Sequence, residues 1–231
     1  AAGGSMNLTY DAASGTSTTI SDAVGVTIAS GAAAGDATAM AFDDTDTLSL
    51  AVNATTFSID TGNVTATSAM TSLSASTTTA GATVTVGTVA EVEALTSLTL
   101  TASNGDVTMG ALGGTGVADE LATLTISSSG GDATVGAINA DTTSNDATDL
   151  AMTITASASA GDTSTVGAVD NEFGTVTINA SGSGTVTMGA LTAADATIDA
   201  SDVTGAFTVS SASVAAAVDA TFGIGSNTYT V

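Results

Sequence analysis

The residues in this chain that can do chemistry are almost all oxygens. There is no Lys, Arg, His or Cys among the 231 residues, and the 23 Asp and Glu side chains give a formal charge of −23. Without an imidazole, thiol or amine, nucleophile and base sets reduce to Ser or Thr with a carboxylate, or to paired carboxylates of the kind that cleave glycosidic bonds. Sugar-cleaving sites usually add aromatic platforms, and here Trp is absent while Tyr10, Tyr229 and five Phe are the only rings. No catalytic pair stands out, and the expectation is a protein that is not an enzyme.

Carboxylates and amide oxygens suit a hard cation better, because calcium takes six to eight oxygen ligands. Three groups have the spacing for it: Asp43, Asp44 and Asp46; Asp141, Asn145, Asp146 and Asp149; and Asp170, Asn171 and Glu172. None carries the glycine and terminal glutamate of an EF-hand loop. The plainer reading of each group is a set of solvated loop acids. For the chain as a whole, a bound divalent cation is one way to offset a charge that no cationic side chain offsets.

These acids fall between short stretches that repeat. Leu98 to Leu112, LTLTASNGDVTMGAL, alternates apolar and hydroxyl residues up to Ala102, turns at Asn104-Gly105-Asp106, and alternates again from Val107. A period of two is the pattern of a half-buried strand, and Asn-Gly-Asp is turn chemistry. Related units occupy Leu124 to Ile138, Met152 to Val169 and Val176 to Leu191, with a looser copy at Met70 to Val89. The glycines that close the second strand, Gly87, Gly110, Gly136, Gly167 and Gly189, are 23, 26, 31 and 22 residues apart. Spacing of that size with variable length belongs to the coils of a solenoid whose insertions fall in loops.

The expected fold is therefore all-β, a parallel β-solenoid of 22–31-residue coils with short loop insertions. Residues 1–15 form a flexible lead-in or end strand, and 16–231 a single repeat domain. Rows of Val, Ile, Leu and Met make the core, and Thr ladders cover the outside. The spacing Val89, Val92, Leu95 and the run Val214 to Phe222 (VAAAVDATF) each suggest one helical turn, too short to stand alone. Absence of proline fits strands whose amides are all needed for pairing. Disorder is the competing reading of so much Thr, Ser, Gly and Ala, and 43% hydrophobic residues with strand periodicity argue against it.

Composition also excludes partners. A polyanion cannot be held without Lys and Arg, so nucleic acid is ruled out and an anionic membrane surface disfavoured. No run approaches the roughly 18 apolar residues of a membrane helix, so membrane insertion is not expected. The first ten residues lack the basic and apolar regions of a secretion signal. A chain with no Lys or Arg offers no site to trypsin-like proteases, which suits an extracellular setting. Sequons at Asn7, Asn53, Asn63 and Asn179 carry little weight in so Thr-rich a chain. The strand-like ends, including Ser226 to Val231 (SNTYTV), invite pairing with another copy, so self-association into a homopolymer is the expected partnership.

Ala196 to Ser210 (ATIDASDVTGAFTVS), Leu124 to Ile138, and Asp46-Thr47-Leu48-Ser49-Leu50 resemble the Thr/Ala/Gly-rich β-solenoid regions of bacterial surface-layer and RTX-type secreted proteins. The resemblance implies export without a cleaved N-terminal signal, calcium-dependent folding or assembly, and a structural role on the cell surface. It lacks the defining nonapeptide G-G-x-G-x-D-x-U-x. Gly113-Gly114-Thr115-Gly116 begins like it, but Val117-Ala118-Asp119 displaces the aspartate, and the calcium ladder of that family does not carry over. The functional expectation is an extracellular structural protein assembling into a surface layer, filament or matrix, with Ca2+ as a candidate cation. The alternative is an adhesin stalk or carbohydrate-binding passenger domain that meets a surface polysaccharide.

Overall fold

The computed structural model describes residues 4–10, 16–21, 23–30, 35–43, 48–54, 58–66, 70–90, 92–113, 120–140, 151–216 and 218–230. Every strand pairing among them is parallel, and they contain no helix. The chain winds as a three-sided β-solenoid, each coil contributing a segment to each of three faces, from a single bridged residue to part of a long strand.

The unit Leu98 to Leu112 shows how a coil is made. Strand Ser97–Ala102 buries Leu98, Leu100 and Ala102, residues 103–105 turn, and strand Asp106–Met109 buries Val107 and Met109. Gly110 then rounds a second corner to Leu112, which is bridged to Val89 below and Ile138 above. These three segments lie on the first, second and third faces respectively.

Stacking is residue on residue. On the first face one row in register runs Met6, Val26, Leu50, Leu73, Leu98, Leu124, Ile154, Ile178, Ile198 and Ala220. The second face aligns Val84, Val107, Ala133, Ser164, Val186 and Phe207, and the third Val64, Val89, Leu112, Ile138, Val169 and Leu191. The buried members of these rows form a single hydrophobic core. Ser164 is the polar member, and it is satisfied: its hydroxyl donates to Ser157 O at 2.6 Å and meets Ser128 Oγ at 2.7 Å. Register puts 20 to 30 residues in a coil, from Ile178 to Ile198 at the short end and Leu124 to Ile154 at the long end, so the shortest coil is two residues below the expected range.

The recurrent glycines stack directly upon one another. A Cβ on Gly110 would lie 2.8 Å from the carbonyl carbon of Gly87, on Gly136 2.8 Å from that of Gly110, and on Gly167 2.6 Å from that of Gly136. Close backbone approach at this corner is why the position recurs.

Two expected helical turns come out differently. Val89–Ala90 is a strand, followed by a single turn in which Leu95 N–H donates to Val92 O at 3.0 Å. Val214 to Phe222 is not helical, since its second half is the strand Val218–Phe222, paired with Ala196 to Ala200. A run this short cannot hold a helix unaided, and the neighbouring coil offers its amides ladder partners instead. Of residues 1–15, Gly4–Tyr10 is a strand paired with Ala23–Ser30.

Candidate functional site

Coil alternation decides where each acid points. In the strand Val169–Gly182, Asn171 is fully buried and its Nδ2 donates to Thr175 O at 3.2 Å, while Asp170 is half-buried and Glu172 exposed. Consecutive residues of an extended strand project to opposite sides. The expected trio Asp170, Asn171 and Glu172 is therefore split, with its amide inside the coil and its carboxylates outside. Asp43 ends the strand Gly35–Asp43, in register with Ser21. Asp44, Asp46, Asp141, Asn145, Asp146 and Asp149 lie outside the described residues. Among the described residues, no three Asp or Glu side chains come together to hold a metal ion.

A different set of acids has a clear role. Asp106, Asp132 and Asp162 each follow a glycine at the corner between the first and second faces. Asp132 N–H donates to Asp106 Oδ1 at 2.9 Å, Thr163 N–H to Asp132 Oδ1 at 2.7 Å, and Gly130 N–H to Asp162 Oδ2 at 2.7 Å. Each carboxylate thus receives an amide from an adjacent coil and ties the corners together. The recurring Gly-Asp pair just ahead of the second strand was the available signal.

Asp199 shows the same chemistry within one coil. Its Oδ1 accepts from Ser201 Oγ at 2.6 Å and Ser201 N–H at 3.0 Å, and these two bonds, the hydroxyl first, hold its carboxyl below the ordinary Asp value. A carboxyl whose folded pKa is depressed adds stability that is present above its unfolded pKa and lost as pH falls through its folded one. We expect Ser201→Ala to move the Asp199 titration, followed by NMR, upward toward the ordinary value. An unmoved titration would contradict the assignment.

The buried hydroxyls Ser128 and Thr77 are bonded to other protein groups. The partners of Ser128 Oγ are Thr163 O, Ser164 Oγ and the Ala133 amide, and Thr77 Oγ1 donates to Gly105 O at 2.7 Å. Carbonyls, amides and other hydroxyls satisfy these groups, and none of them can act as a general base.

The outer surfaces of the three faces differ in charge. On the first face, the outward positions of five successive strands are Ser72, Ser74 and Ser76; Ser97, Thr99 and Thr101; Thr123, Thr125 and Ser127; Thr153, Thr155 and Ser157; and Thr177, Asn179 and Ser181. Fourteen hydroxyls and one amide fill this array, and it contains no charge. Acids return in the coils above it, at Asp195, Asp199 and Asp219. The second face carries Asp60, Asp106 and Asp132 outward, and the third Asp170.

At the last described coil, Phe222 stacks obliquely between Phe207 and Tyr229, with ring centroids 6.1 and 6.3 Å apart. Phe222 is 37% and Ile224 93% exposed. The strands Val218–Phe222 and Ser226–Tyr229 pair on one side only among the described residues.

The class that fold and surface define is a three-sided parallel β-solenoid with acid-tied corners and a flat, uncharged hydroxyl array on its first face. Compared with protein-family models, curated proteins and solved structures, the chain matches none.

Proposed function

We propose that the chain is an extracellular structural protein, a β-solenoid rod whose copies assemble into a surface layer, filament or matrix with the help of divalent cations. The observation that carries this reading is the continuous in-register parallel pairing that makes the described coils one rod, from Gly4–Tyr10 at one end to Ser226–Tyr229 at the other. A parallel strand is a template for a further strand, and copies of a chain built of such strands can pair in the same register. Exposure of Phe222 and Ile224 at one of these ends adds apolar surface to be covered.

Charge sets the condition for assembly. Copies bearing −23 each, without a single cationic side chain, repel one another until counterions gather. Divalent cations between acid-bearing corners reduce that repulsion most efficiently, and calcium is the cation the oxygen chemistry suits. The want of Lys and Arg, which removes every tryptic cleavage site, suits a protein that lives outside the cell.

Electron microscopy of purified protein with calcium and with excess chelator tests the reading. Filaments or sheets are expected with calcium, dispersing on chelation. A strictly monomeric particle at high concentration with calcium overturns assembly and leaves the rod as a stalk or passenger, which a glycan-binding screen would then examine. An assembly indifferent to chelator removes the cation from the proposal.

A further inference from the structure

The uncharged face is a regular surface among the described residues. Its three outward columns repeat at the strand separation along the solenoid axis, about 4.8 Å, and at twice the rise per residue across it, about 6.6 Å. None of the four pairings that build it contains a bulge, whereas bulges occur in the pairings on either side, at Leu48/Ser49 and beyond Asn171. Coil length varies from 24 to 30 residues over the same stretch, from Leu73 to Leu98, Leu124, Ile154 and Ile178, and the array is unaffected. All of that variation is taken up outside the first face. Straight register and displaced insertions together keep a two-dimensional lattice of hydroxyls intact.

We propose that this lattice binds a crystalline surface of water, a face of ice. A surface that presents the same donor and acceptor every few ångströms in two directions is matched in full only by a partner that repeats likewise. An irregular protein surface would leave hydroxyls buried without partners, at the usual desolvation cost. Absence of charge removes the attraction an ionic crystal needs, and absence of aromatic side chains on the face removes the stacking platform of a sugar polymer. Water in a lattice lets every hydroxyl keep hydrogen-bonding to water. Both spacings are of the same order as the separations between repeated water oxygens in hexagonal ice. Among the lattice hydroxyls that bond to protein, Ser76 donates to Asn53 Oδ1 and Ser157 to Ser127 Oγ in the third column, and each retains acceptor capacity. The central column Ser74, Thr99, Thr125 and Thr155 has the lattice on either side of it.

The inference does not depend on assembly. Its test is the partition of the full chain into ice grown slowly from dilute solution, with a non-binding protein as reference and circular dichroism as the check on folding. The wild-type chain is expected to concentrate in the ice. Thr125→Lys, at the centre of the lattice, should fall to the reference level, while Thr134→Lys on the second face keeps the wild-type partition. Wild-type protein that partitions like the reference overturns the proposal, as does equal loss in the two folded variants. If instead sedimentation shows copies associating through this face, with Thr125→Lys abolishing association and no protein entering ice, the face is an interface between copies and the ice proposal falls.

Discussion

Replacing Gly136 by valine is expected to lower the unfolding free energy by more than about 3 kcal/mol, the upper part of the range for overpacking with strain. A Cβ at this position would sit 2.8 Å from Gly110 C and 2.9 Å from Ala111 N, and both are backbone atoms. Neither can swing aside as a side chain can. Gly136 N–H also donates to Met109 O at 2.9 Å, so lifting the coil to make room breaks the bonds that hold it. Gly167 stacks on Gly136 from the other side, so closely that a Cβ on Gly167 would lie 2.6 Å from Gly136 C, which closes the remaining way out. Gly161 supplies the control. It has φ +92 and nothing within 4 Å of an added Cβ, so Gly161→Ala should cost only the left-handed backbone strain, about 1–2 kcal/mol. Urea denaturation of the two variants measures the difference. Equal losses would mean that backbone conformation, and not coil-to-coil contact, sets the need for glycine.

That ladder was legible in the sequence as a spacing, because glycines that must touch across coils recur once per coil. The core rows were legible for the same kind of reason, since Leu98-Thr99-Leu100 and Leu124-Thr125-Ile126 alternate strictly and the structure buries the apolar member of each pair. The third face was harder to read. Its contribution to the central coil is the single residue Leu112, held by isolated bridges, and one residue carries no period. The acids that tie the corners lie one to a coil, far apart along the chain, because hydrogen bonds in a solenoid run between coils. Asp106 meets the amide 26 residues on, and Asp132 the amide 31 residues on. In Asp170-Asn171-Glu172 the alternation that located the strands also separates the amide from the carboxylates, and that much could have been drawn from the sequence.

Leu124→Ala is expected to cost about 3–5 kcal/mol, at the high end for leucine truncation, because its surroundings cannot close over the cavity. Leu124 is fully buried between Leu98 below and Ile154 above, in strands whose separation is fixed by continuous parallel pairing. Two flanking coils that cannot approach leave the void whole. Phe222→Ala removes more atoms yet should cost less, about 1–2 kcal/mol, because Phe222 is 37% exposed and its strand pairs on one side only among the described residues. The order of these losses therefore follows position in the stack more than side-chain size. In an array stabilised by nearest-neighbour contacts, damage also stays local. Hydrogen exchange in Leu124→Ala should accelerate in Ser97–Ala102, Thr123–Ser128 and Ala151–Ala158 first, with the strands beyond Thr185 keeping more of their protection. Uniform loss of protection along the whole chain would show instead that the solenoid unfolds as one unit, with coupling between coils strong enough to override their sequence of contacts.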